Sequence, residues 1–600
     1  MRFAAAGSFF PIAFSGILAF STVFAAPATA QSSGDLAAKD LMSKLEWRSV
    51  GPYIGGRVVT VSGVAGNPNL FYAGTVGGGI WKSTDEGLEW KNISDGQLPG
   101  PSASIGAIAV APSDPNILYA GTGEDDIRND MIPGDGIYKS TDAGKTWQYA
   151  GLRETHSVSE IIVSPKDPNT VYASSMGHVF VPGPDRGVFK TTDGGKTWKK
   201  ILFVDDKTGA IDLIIDPNHP RVLYAAMWQA QRTAWGLTSG GPGSGLYKTT
   251  DGGGHWTNLT HNSGLPQGVL GRIGVTLVAS HPDTLYAIVQ AEDGGVFRSD
   301  DAGKSWKRVN DEAKLRQRAF YYMAVFADPK DPNTVYAPQV DALWVSHDGG
   351  KTFTKLHTPH GDNHALWINP DNTSLLLEGN DGGATVSTDG GKTWSTEHNQ
   401  PTGQFYHVNL DDQFPFHIYG AQQDEGAFEG PSATAGGLIP LGDWKSVAFG
   451  ESTFTVPQPG DPDITYGSGY YSIFVKQNLA TEQMREFFGQ RQTQSGSFYT
   501  ALNRMIHLRK VLKDEIQIFR RNADSSVGDR KNYIGAGDLG CYAHLAPFSK
   551  FQGVGDEIPE DLRNLAFVGI DGRKIADLFE DQLDGLVEQQ GAQHSTQCGK

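Results

Sequence analysis

Seven copies of one short motif constrain this chain more than any other feature. Each copy is a small hydroxyl residue followed at two residues by Asp, then Gly, then an aromatic. The copies run Ser83-Thr84-Asp85 to Trp90, Ser140-Thr141-Asp142 to Trp147, Thr191-Thr192-Asp193 to Trp198, Thr249-Thr250-Asp251 to Trp256, Ser299-Asp300-Asp301 to Trp306, Ser346-His347-Asp348 to Phe353 and Ser387-Thr388-Asp389 to Trp394. Successive Asp residues are 57, 51, 58, 50, 47 and 41 apart. Self-similarity at about fifty residues marks a unit that cannot bury its apolar face alone and must stack on its neighbours. Glycine, 75 of 600 residues, beside 13 Trp, 20 Tyr and 29 Phe fits short strands joined by tight turns and excludes wholesale disorder.

A second signature precedes each motif: an acidic residue or Asn, Pro, Asn or Asp, then an apolar run ending in Tyr. Asp114-Pro115-Asn116 to Tyr119, Asp167-Pro168-Asn169 to Tyr172 and Asp331-Pro332-Asn333 to Tyr336 are the clearest. Looser copies end at Tyr72, Tyr224, Tyr286, Leu377, Tyr419 and Tyr466, making nine. Each unit reads as four strands. In the second, these are 105–111, 117–121, 136–139 and a strand opened by Trp147, with the Asp motif as the last turn. Four-stranded repeats of this length are propeller blades. The fold expected is therefore all-β, an Asp-box (BNR) β-propeller over residues 45–475, with a small helical C-terminal region at 480–600. Either a single ring of about nine units or a seven-bladed ring plus a partial second fits these counts. The ninth header is followed by no evident fourth strand, and Trp47-Arg48-Ser49-Val50 can supply one and close a ring.

The motifs resemble the Asp-box repeat of sialidases, sortilin-type receptors and xyloglucanase-type tandem-propeller hydrolases. The wider wording is similar to exported bacterial BNR-repeat proteins described as sortilin-like or glycosyl-hydrolase-like. It is carried by Gly74 to Trp81, Gly209 to Asp216, Gly240 to Lys248, Gly361 to Pro370 and Tyr419 to Asp424. The resemblance implies a propeller of ten blades (sortilin-like) or of seven plus seven (tandem hydrolases), with a peptide or a sugar as ligand. It reaches from about Leu45 to Ser472 and specifies fold far more than activity.

The N-terminus reads as a signal peptide, residues 1–30. Arg2 precedes the uncharged apolar stretch Phe9 to Ala26, and Ala28-Thr29-Ala30 is a small-x-small cleavage site. No later stretch of 18 apolar residues occurs, so no transmembrane anchor is expected after its removal. The mature chain is expected in the periplasm or outside the cell, where Cys541 and Cys598 can pair or stay free. A net charge of −17 argues against a nucleic-acid partner. Phe498, Leu502, Met505, Leu508, Leu512, Ile516 and Phe519, then Ile575 to Val587, trace helical apolar faces that pack on the propeller or dock a protein partner.

The Asp-box aspartates are expected to brace their own turns. Function in a propeller belongs to the channel mouth, reached from residues that open first strands or follow second strands. Candidate ligand-binding residues are Arg57, Glu124, Arg128, His156, Arg272, Tyr321, His364, Tyr406 and Gln423, with Asp212 and Trp344 beside them. Asp362, Asp381, Asp424 and Glu451 are candidate catalytic carboxylates, because glycoside hydrolysis needs two of them ~5–10 Å apart. The xyloglucanase-like pattern has an Asp where Val76 stands, and Val does no acid–base work. His360, Asp362 and His364 at i, i+2 and i+4 share one side of an extended chain and can hold a divalent metal; no other cofactor is indicated. Sialidase chemistry would need three converging arginines, here Arg57, Arg128 and Arg272, with Tyr321 as nucleophile, but the Phe/Tyr-Arg-Ile-Pro sequence is missing. The leading reading is a module binding a glycan or extended peptide at the channel mouth. The alternatives are a glycoside hydrolase and a scaffold protein.

Overall fold

The computed structural model describes residues 43, 46–98, 103–448, 450–468 and 473–488. The signal-peptide, helical and cysteine expectations lie outside these residues. The chain divides into two compact units, Met1–Ser49 and Val50–Lys600, and the first has no strand among its described residues.

The second unit carries nine antiparallel sheets. In each the strands lie in chain order, and the turns explain why. Asp114 shows the first turn: its Oδ1 accepts from the Asn116 N–H at 3.0 Å and its carbonyl from the Ile117 N–H at 3.0 Å, so Asp-Pro-Asn folds the chain back on itself. The Asp box makes the last turn. Ser140 Oγ donates to Asp142 Oδ1 (2.8 Å) and accepts from the Gly144 N–H (2.9 Å), while Asp142 Oδ1 accepts from the Thr146 N–H (2.8 Å). Ala143 and Gly144 take the left-handed conformation, φ 59 and 86. The Thr146 hydrogen bonds hold the Asp142 carboxyl down at about 2. Trp147 then sends its Nε1–H back to the Ile93 carbonyl of the preceding sheet at 3.0 Å. The boxes are thus outer braces, as expected.

Sheets one to seven form a closed ring. Their first strands, Val58–Val64, Ile105–Val110, Val158–Ser164, Thr208–Ile215, Ile273–Val278, Phe326–Ala327 and Asn363–Ile368, are the inner ones, each touching the next. The last touches the first. One buried cluster fills each joint. At the closing joint Val58, Phe71, Ala73 and Trp90 of blade one pack on Leu375, Leu377, Ala384 and Val386 of blade seven. Packing alone makes this closure. Residues 46–50 form no strand and Trp47 is fully exposed, which corrects the expectation that they complete a last blade.

Sheets eight (Phe405–Leu410, His417–Gln422, Gly426–Pro431, Lys445–Ser446) and nine (Thr455–Gln458, Asp461–Ser468, Ile473–Asn478, Gln483–Phe488) stand outside the ring and pack on each other through Tyr419, Ala421, Ala427 and Val447. The ninth unit has its own fourth strand, Gln483–Phe488, which reaches past the boundary drawn at 480. The fold is the seven-bladed ring with a partial second array.

Candidate functional site at the mouth of the ring

In every blade, the chain before the first strand and the turn between the second and third strands emerge at the same end. That end gathers nearly all the polar candidates. Asp381, in the tight turn between Leu376–Asn380 and Gly383–Ser387, is the hub. Its carboxylate accepts from Arg57 Nε (2.8 Å) and Nη2 (3.1 Å), and from Tyr321 Oη (3.0 Å); His364 Nε2 lies 2.6 Å away. All four side chains are buried. Burial alone would raise the Asp381 pKa, but His364 and Arg57 outweigh it and hold the carboxyl well below the usual range. His364 Nδ1 faces Asp126 Oδ2 at 3.2 Å. Burial works against its charge, yet Asp126 and Asp381 keep the imidazole above its ordinary pKa. Tyr321 and Tyr322 pack against this ring, with centroids at 4.6 and 5.7 Å.

Arg57 also joins the hub to sheet eight. Its Nη2 donates to Asp424 Oδ2 at 2.7 Å and its Nη1 to Gln404 Oε1 at 3.3 Å. Asp424 answers oppositely to Asp381. Burial and the neighbouring Asp381 charge outweigh Arg57 and push it up to about 8. Glu451 Oε2 accepts from the Asp424 N–H (2.7 Å) and from Gln423 Nε2 (3.1 Å), and Tyr406 donates to Gln423 Oε1. Arg128 completes the rim, paired with buried Glu124 and, at 3.2 Å, with Asp130. Asp362 stands nearby, 3.8 Å from Arg318, its carboxyl raised to about 6 by burial and Asp381. The result is a buried ionic hub under a half-exposed rim: Arg128, Asp362, Tyr406, Gln423, Asp424 and Glu451.

Several expectations are corrected. The metal triad does not assemble. Asp362 has φ 56, which breaks the extended alternation, and the strand starts only at Asn363. His364 is held between two carboxylates, while His360 Nε2 faces Glu425 at 3.6 Å. Among the described residues no group of three or more His, Cys, Asp or Glu has a metal-holding arrangement. The three arginines do not converge as a set. Arg57 and Arg128 share the mouth, but Arg272 donates to the Ala319 carbonyl at 3.2 Å and lies over Trp228. His156 packs edge-on to His178, apart from the hub. Trp344 lies on a third strand, Ala342–Ser346, under Lys314, not at the mouth. Asp212 accepts from the Val275 N–H at 2.8 Å and ties blade four to blade five. Asp126 and Gln404 were missed. The run Glu124-Asp125-Asp126 was the available signal for the first.

The Sortilin-Vps10 family model, described as sortilin, neurotensin receptor 3, matches residues 135–265 and 294–428. A probable oligoxyloglucan-reducing end-specific xyloglucanase of Neosartorya fischeri is 24% identical over 397 residues, covering 57% of this chain and 45% of its own. The xyloglucanase Xgh74A of Acetivibrio thermocellus is 25% identical over 294 residues, covering 42% of this chain and 32% of its own. The chain thus spans less than half the length of these relatives. Among solved structures, a GH74 enzyme of Niastella koreensis matches with TM-score 0.38 and 17% identity over 74% of each chain. Among the described residues no helix is long and apolar enough to cross a membrane.

Proposed function

For this sortilin-like, glycosyl-hydrolase-like Asp-box propeller, we propose the role of an exported binding module that takes a glycan across the rim of the ring mouth. The observation that carries the reading is the state of Asp381. Its charge is spent inside the protein on Arg57, His364 and Tyr321, which leaves the half-exposed rim to meet a ligand. Tyr406 offers a ring for stacking on a sugar face. Gln423, Asp424, Glu451 and Arg128 offer donors and acceptors for hydroxyl groups. Asp424, neutral up to about pH 8, can donate as well as accept. The xyloglucanase names among the relatives make xyloglucan oligosaccharides the first ligands to try.

One observation favours glycoside hydrolysis as a second reading. Asp381 and Asp424 bond the same Arg57 nitrogen at 3.1 and 2.7 Å, which keeps those oxygens within about 6 Å of each other, and their pKa values are pushed apart. Against it, Asp381 is enclosed and already neutralised, a poor base or nucleophile. The test is calorimetric titration of residues 31–600 with xyloglucan oligosaccharides, with mass spectrometry of the same mixtures. Saturable binding without cleavage, weakened by Tyr406→Ala and Asp424→Asn, is the expected result. Cleavage lost in Asp424→Asn replaces the binder by the hydrolase. Failure to bind a broad glycan panel, with capture on a peptide array, moves the ligand to an extended peptide.

A further inference from the structure

The joint between sheets eight and nine differs from the ring joints in one position. In blades one to five the Tyr ending the second strand pairs in register with a cation on the third: Tyr72 with Lys82, Tyr119 with Lys139, Tyr172 with Lys190, Tyr224 with Lys248 and Tyr286 with Arg298. Each cation lies over its Tyr ring and reaches into the next blade. Lys82, Lys190 and Lys248 donate to the carbonyls of Ala143, Gly252 and Ala302 in the next Asp box, at 3.0, 2.8 and 3.0 Å. Lys139 and Arg298 donate to Asn169 and Asn333 of the next header, at 3.2 and 2.9 Å. These cations act as latches between blades.

In sheet eight the register partner of Tyr419 is Glu429. The charge at the latch position is reversed. Its counterpart is missing too, because only the short turn Leu479 to Glu482 joins the third and fourth strands of sheet nine, where a ring blade would carry an Asp box. A cavity of about 150 Å³ fills that place, lined by Gln413, His417, Tyr419, Glu429, Lys445 and Asp463 among others. Glu429 is buried, its side chain 4% exposed. Lys445 meets Oε1 at 3.4 Å but is 64% exposed, and His417 stands 3.9 Å from Oε2, beyond hydrogen-bond reach. Asp411 lies behind, accepting from Gln413 (2.6 Å) and Tyr419 (3.2 Å). Burial and then the Glu429 and Asp411 charges push the Tyr419 phenol far up, which reports a negative field at the cavity wall.

We propose that this cavity is a second binding site, distinct from the ring mouth, for a primary ammonium group carried on a small polar molecule. The ammonium would sit on Glu429 Oε2, near where a ring blade places its own cation, and the polar body would lie against Gln413, His417 and Asp463. An amino sugar and an alkyl diamine share this chemistry and are separable by probe. Isothermal titration with glucosamine, glucose, N-acetylglucosamine and 1,5-diaminopentane tests it. Glucosamine or the diamine should bind saturably at one site, and glucose and N-acetylglucosamine should not. The amine that binds names the source. Glu429→Gln should weaken that binding by roughly tenfold or more, the loss of a charge-assisted hydrogen bond. Glu429→Lys restores the ring-type latch; it should abolish binding and melt no lower than the parent. That second variant keeps the test open if Glu429→Gln folds poorly. No saturable binding of either amine, or binding untouched by both substitutions, overturns the site.

Discussion

Asp424 and Asp381 sit on one arginine and titrate in opposite directions, so they give opposite pH signatures. Asp424 is raised to about 8 in the folded protein, above an unfolded value near ~3.9. Its contribution to stability is therefore complete below about pH 4 and is lost as pH rises through 8. Asp424→Asn should flatten the fall in Tm across that window and melt above the parent at alkaline pH, measured by thermal scans at stepped pH. Asp381 is depressed, so its contribution holds above the unfolded pKa and fades only in strong acid. Asp381→Asn leaves the buried Arg57 and His364 charges short of a partner and should cost about 3–5 kcal/mol by urea unfolding at neutral pH. An unchanged midpoint would show that the hub is not what holds the mouth. The sequence located Arg57, Tyr321, His364, Asp381 and Asp424 by their places on blade elements. It could not pair them, because the partners come from residues up to 367 apart and their contacts depend on how blades pack.

At the level of elements, two repeating signals carried different information. The seven Asp boxes counted the blades of the ring. The nine headers counted sheets, two of which lie outside it. The difference is physical. An Asp box needs a neighbouring blade against which to set its Trp, as Trp147 and Trp198 bond the Ile93 and Ala150 carbonyls of the blade before (3.0 and 2.7 Å), whereas a header needs only its own hairpin. Blade four also adds a hairpin extension, Gly236–Ser239, that the fifty-residue period does not announce. Closure rests on side chains across the seventh joint. Leu377, fully buried there, should lose about 2–5 kcal/mol on replacement by Ala, measured by denaturant unfolding. A loss well under 1 kcal/mol would mean that the joint collapses around the gap and that closure draws little on this cluster.

Over the molecule as a whole, burial is uneven. Ring blades cover both faces, while sheet nine leaves Phe454, Val456, Tyr466 and Phe474 exposed on one face. Native-state hydrogen exchange should therefore release the amides of sheets eight and nine well before those of blades two to five. Equal protection would show that something covers the exposed face in solution. The closing joint has a consequence for assembly. Six joints of the ring unite blades that follow one another along the chain, about fifty residues apart. The seventh unites blade one with blade seven across roughly 300 residues, which adds about 1–2 kcal/mol of loop-closure entropy. No shared strand holds the two ends while the rest forms. A chain folding from its N-terminus can complete blade after blade, yet the faces bearing Val58 and Leu377 stay open until the last blade is made. This seam is the last part of the ring to form, and until it shuts it is where two half-finished copies would adhere to each other.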